Sequence, residues 1–188
     1  MKNLAILLIV CLMMSCTSIH EIKVKSLERV NETRFIYPIS FNEISKKSDM
    51  LFSYKAQKEN KIRLSGSENT ALLYSKVKYS SDDRIEIQLG DVARSFWDSD
   101  FYRVNGRAAQ TTGVFTVKFE PTDGNQTLVS VEVDKLEVIN GIDCCGPHGR
   151  YSRYTRVAST TIEEYAILFY LGEQFGVNMH KPYRPDGG

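Results

Sequence analysis

Val114–Val133, VFTVKFEPTDGNQTLVSVEV, is the stretch whose reading decides the fold. Phe115, Val117 and Phe119 alternate with Thr116 and Lys118, and Thr127, Val129, Val131 and Val133 alternate with Ser130 and Glu132. Successive side chains of a strand point to opposite faces, so each run makes one apolar and one polar face. Between the runs, Pro121-Thr122-Asp123-Gly124-Asn125 carries turn chemistry. The stretch reads as an antiparallel hairpin with one face to bury. After Asp134 the apolar side passes to Leu136 and Val138, a change of parity that a bulge near Asp134–Lys135 would produce.

Working outward, Arg84–Leu89 alternates cleanly, with Ile85, Ile87 and Leu89 on one side. Leu72–Tyr79 and Tyr151–Val157 are strand-like, and the glycine-flanked NGIDCCGPHGR between hairpin and last strand reads as a loop. Two segments keep helical spacing instead. Ser40 and Glu43 have the form of a capping box, and Phe41, Ile44, Leu51 and Phe52 follow on one face, which predicts a helix over about 41–53. Thr160 and Glu163 form a second box before Ile162, Tyr165, Ala166, Phe169 and Leu171, with Gly176 as the stop. The polar KAQKENK after the first helix reads as a connection. The expected fold is α+β: an antiparallel sheet of about four to six strands packed on one face by two helices, forming a single domain over 35–176. The Pro- and Gly-rich 177–188 reads as a disordered tail.

The start of the chain has a different character. Met1-Lys2-Asn3 precedes eleven uncharged apolar residues, Leu4–Met14, too few to span a bilayer but suited to the hydrophobic region of a signal peptide. Leu12-Met13-Met14-Ser15-Cys16 resembles the lipobox of bacterial lipoproteins, with Met13 where leucine is commonest. The resemblance covers residues 1–16. It implies that residues 1–15 are removed and that Cys16 carries a diacylglycerol on its sulfur and an acylated amine. Thr17 in place of aspartate implies sorting to the outer membrane. The polar 17–34 then reads as a tether, in which Ile22 and Val24 could start a strand.

Composition excludes several classes of function. Loss of Lys2 with a leader would leave basic and acidic residues in balance, so no electrostatic footprint for nucleic acid remains. No further apolar run is long enough to span a membrane. Four cysteines are too few for a disulfide scaffold. The three histidines fall in the tether (His20), the glycine loop (His148) and the tail (His180), outside any H-E-x-x-H, and no G-x-S-x-G or phosphate-cradling loop occurs. No cofactor and no enzymatic activity are expected.

Three clusters could carry something more. Cys144-Cys145-Gly146-Pro147-His148 admits a strained disulfide, a soft metal site of two thiolates and an imidazole, or an irregular loop with inert thiols. Adjacent Cα atoms lie about 3.8 Å apart, short of the ~4.4 Å at which bridges usually begin. Asp91–Tyr102 (DVARSFWDSDFY) holds the only tryptophan. Trp97 and Phe101 would make either a stacking platform for a ligand or a plug in the core. Asp98 and Asp100 begin like a calcium loop, but Tyr102 stands where a third oxygen is needed. Arg150 and Arg153 could meet a partner's acids, or lie on a solvated strand with their stems flat on it. Together these features predict a membrane-anchored, non-enzymatic adaptor that binds another envelope protein. The alternative is a lipoprotein holding a lipid, glycan or peptide in a groove between sheet and helices.

Overall fold

The computed structural model describes Ile22–Val24 and residues 31–64, 71–146 and 149–181. In chain order the elements are β1 Ile22–Val24, β2 Arg34–Tyr37, α1 Phe41–Leu51, α2 Tyr54–Asn60, β3 Ser75–Ser80, β4 Ile85–Leu89, β5 Phe96–Val104, β6 Arg107–Thr122, β7 Gln126–Gly146, β8 Gly149–Arg156 and α3 Ile162–Phe175. The fold is α+β, an antiparallel sheet with helices packed on it. Among the described residues the sheet has eight strands rather than four to six, and there are three helices rather than two.

The hairpin read from alternation is the spine of the sheet. β6 and β7 pair from Thr111↔Val138 to Thr122↔Gln126. The register skips Asp134, where Val114 pairs Lys135 and Phe115 pairs Val133, so the parity change in the sequence is a bulge at that residue. The hairpin's polar face is stitched by Thr116 Oγ1 donating to Asp134 Oδ2 (2.7 Å) and by the Lys118–Glu132 pair (2.7 Å). Phe115, Val117, Phe119, Val129 and Val131 are buried on the other face. The outer edge of β6 takes β5 along its first part and β4 along its second; that of β7 takes β2 and then β8.

The extra elements come from segments that lack a local signature. β7 runs on through the expected NGIDCC loop because β8 supplies its ladder partners, from Glu137↔Arg156 to Gly146↔Gly149. β1 arises inside the expected tether and pairs with β5. In β5 the register passes from Ser99↔Ala109 to Arg103↔Ala108, leaving Asp100, Phe101 and Tyr102 as extra residues. That irregularity lets two consecutive side chains, Phe101 and Tyr102, both be buried, which strict alternation forbids.

Helix α1 starts as its sequence predicts, with Ser40 Oγ accepting from Glu43 N at 3.2 Å. Helix α2 forms in the expected polar connection. Ser53 caps it, and Gln57, fully inside, donates from Nε2 to the carbonyls of Phe52 (2.6 Å) and Leu73 (2.8 Å) and accepts from Leu73 N (2.7 Å). A polar side chain is cheap to bury when its bonding capacity is met in this way. Helix α3 begins one residue later than the expected box predicts. Its N-cap is Thr161, in the left-handed region at φ 64, with no side-chain cap. Thr160 instead bonds the Glu163 side chain.

Helix α3 lies against β7 and β2 and is buried almost all round. Tyrosine phenols fix it to the rest of the molecule. Tyr37 donates to Leu168 O (2.6 Å), Tyr102 to Ala158 O just before the helix (2.8 Å), and Tyr170 to Leu51 O (2.7 Å). The helix ends in a Schellman motif, with Val177 N bonding Gly172 O (2.8 Å) and Gly176, at φ 68, bonding Glu173 O (3.3 Å). The chain then folds back. Met179 is buried against Gly172, and Tyr165 Oη donates to His180 O at 2.7 Å. Met179 and the Tyr165–His180 bond thus hold the first residues after α3 against the helix, within the stretch read as a tail; 182–188 lie outside the described residues.

Candidate functional site

The sequence-derived candidates separate into three places. Cys16 and His148 lie outside the described residues, as do the side chains of Cys144, Cys145 and Arg150. By backbone, Cys144 and Cys145 belong to β7 and Arg150 and Arg153 to β8, so the hairpin sets two of the motifs on neighbouring strands. Arg153 is half-buried beside its partner Gly141. No group of three or more His, Cys, Asp or Glu side chains suited to a metal occurs among the described residues.

Trp97 and Phe101 are in the core, 4 % and 1 % exposed, so the stacking platform is corrected to a plug beneath the sheet. Trp97 packs on Phe115 (centroids 6.1 Å) and against Gly113, where an added Cβ would lie 3.0 Å from the indole. Gly113 is the space into which the large ring fits. Asp98, from the same segment, is exposed.

Two arrangements not singled out by the sequence stand out in three dimensions. The first is a pair of buried acids in the first turn of α3. Glu163 is fully enclosed; Thr160 Oγ1 donates to its Oε2 (3.0 Å), and its Oε1 has no hydrogen-bond partner. Burial, reinforced by neighbouring Glu164, pushes its carboxyl up to about 8 against the bonds it accepts. Burial also raises Glu164, which accepts from Ser159 Oγ at 2.6 Å. Burial, with the charge of Glu163, raises the phenol of Tyr102. Glu163 is thus a neutral carboxylic acid at pH 7, able to hold or release one proton. The Asn31 backbone N–H bonds Thr161 Oγ1 (2.8 Å) beside it, which ties the incoming N-terminal segment to this turn.

The second is a groove of about 630 Å³ between the end of α2 and α3. Ala166, Phe169 and Tyr170 form its apolar floor, and Glu59, Asn60, Lys61, Arg63, Glu173 and Lys181 surround it. Phe169 is the one residue from Ile162 to Gly172 left partly open, and it opens here. The back wall is rigid: Phe52 stacks on Tyr170 (5.6 Å, 23°), whose phenol is held by Leu51 O. Lys61 occupies the C-cap of α2 at φ 33, a position that favours glycine. Glu163 and Glu164 do not line the groove. The groove signal was hidden in the sequence because its cations come from the α2 connection and from the expected tail.

No helix among the described residues is long and apolar enough to cross a membrane. Compared with protein-family models, with curated proteins and with solved structures, the chain matches none.

Proposed function

We propose that this protein is a lipid-anchored lipoprotein of the bacterial envelope, most of its chain forming a non-enzymatic binding domain held at the outer membrane by acyl groups on Cys16. The observation that carries this reading is the lipobox-like Leu12–Cys16 at the end of an apolar run of signal-peptide length. One acyl chain holds a protein weakly and two or more hold it stably, so a triacylated terminus would be a lasting anchor. Anchoring confines a binding domain to a surface layer and raises its effective concentration for a partner there. The balanced charge agrees with a protein or amphiphile as partner better than with nucleic acid. Replacing Cys16→Ser should abolish incorporation of labelled palmitate and release the protein from the membrane fraction. Undiminished labelling of the variant would refute the reading.

A second reading, a lipoprotein that carries a small ligand, is favoured by one specific observation, the open groove between α2 and α3. Its volume lies within the ~300–1,000 Å³ typical of small-molecule sites.

A further inference from the structure

We infer that the groove between α2 and α3 binds a single-chain acidic amphiphile, a fatty acid whose carboxylate meets Lys61, Arg63 and Lys181 and whose chain lies over Phe169. The inference deepens the ligand-binding reading and is independent of whether Cys16 is lipidated. Three observations support it.

Charge comes first. Among the described residues, Lys61, Arg63 and Lys181 make no ion pair and no side-chain hydrogen bond, although acids stand nearby. The lining carries two acids, Glu59 and Glu173, against these three cations, an excess of one positive charge. A guanidinium and two ammonium groups around one cleft suit a carboxylate, to which Arg can bond through two parallel N–H groups.

Apolar character comes second. Ala166 and Tyr170 lie almost closed beneath the floor, and Phe169 presents the half-open ring. Long cationic side chains can lay their methylene stems along such a surface while the charged ends stay in water. The groove therefore has the two-part character of an amphiphile rather than that of a simple anion.

Size comes third. At about 30 Å³ per heavy atom, the share of a water in the liquid, 630 Å³ admits on the order of twenty non-hydrogen atoms. That is one acyl chain with its head. A two-chain phospholipid, with more than twice that number of atoms, would extend out of the groove.

The test uses the purified full-length protein and a diazirine-bearing palmitate. The expected result is saturable cross-linking to the α3 peptide containing Phe169, displaced by palmitate and not by methyl palmitate. The triple variant Lys61→Ala, Arg63→Ala, Lys181→Ala, all at exposed positions, should weaken binding at least tenfold. A control pair, Lys46→Ala with Lys76→Ala, should leave it unchanged. Absence of saturation, equal displacement by the ester, displacement by inorganic phosphate, or full binding by the triple variant would each overturn the inference. Repeating the titration on Cys16→Ser separates it from the anchor, since groove binding should survive that change.

Discussion

Replacing Glu163→Gln should make the protein more stable at alkaline pH and less stable in acid. The carboxyl is fully enclosed at the start of α3, with one oxygen bonded by Thr160 and the other unpartnered. Its folded-state value, about 8, lies above the ordinary 4.5 that it regains on unfolding. A group raised on folding contributes stability that is fully present below pH 4.5 and is lost as the pH climbs through 8. The difference of three to four pH units corresponds to about 4–5 kcal/mol at roughly 1.36 kcal/mol per unit, lost by the time the pH exceeds 8. That is a large part of the ~5–15 kcal/mol that holds a domain together. Glutamine keeps the shape and the acceptor for Thr160 but never ionises. Its amide nitrogen would sit at the unpartnered position, which costs about 1–3 kcal/mol at any pH. Urea unfolding of both proteins at pH 5, 7 and 9 reads the effect. The variant should be slightly less stable than the parent at pH 5, overtake it between 5 and 9, and show a flatter dependence throughout. Glu164 is raised in the same direction and acts on Glu163, so the difference between the two profiles reports the pair, with Glu163 the more deeply buried member. Two stability profiles that run parallel from pH 5 to 9 would show that Glu163 does not hold its proton in the folded state.

The same structure makes two further predictions. Gln57→Leu should cost on the order of 3 kcal/mol, because it leaves the Phe52 and Leu73 carbonyls and the Leu73 N–H without their partner, and a denaturation midpoint equal to the parent's would contradict the staple. Met179→Ala should cost about 2 kcal/mol, lowering Tm by roughly 4–8 °C, by emptying the contact with Gly172 and Tyr37; an unchanged Tm would restore the tail to disorder.

What could be read locally was the part of the fold written in periodicity. The two faces of β6 and β7, the turn at 121–125, the bulge at Asp134 and the helix after Ser40 all depend on residues within a few positions of one another. Period-two and period-3.6 patterns record which side of an element is buried, and a parity slip records an inserted residue. The helix of α3 was legible for the same reason, although its start was not. Thr160 and Glu163 have the spacing of a cap, but burial turned that pair into a side-chain contact and moved the cap to Thr161.

The remainder was decided across the chain. KAQKENK looks solvated because nothing within it announces that Gln57 will find the backbone of Leu73, sixteen positions on. The NGIDCC segment has no alternation, and it is a strand only because β8 returns beside it. The last residues look mobile until Met179 meets Tyr37, 142 positions earlier. Lys61, Arg63 and Lys181 are ordinary surface cations in one dimension and share a cleft in three. By itself, then, the sequence determined the fold class and the hairpin spine, and it carries the leader-like start, because each is encoded in the order of neighbouring side chains. Only tertiary structure decided which polar groups were enclosed, where Glu163 would keep its proton, and where a groove would open, because burial is set by whatever distant segment packs against a residue.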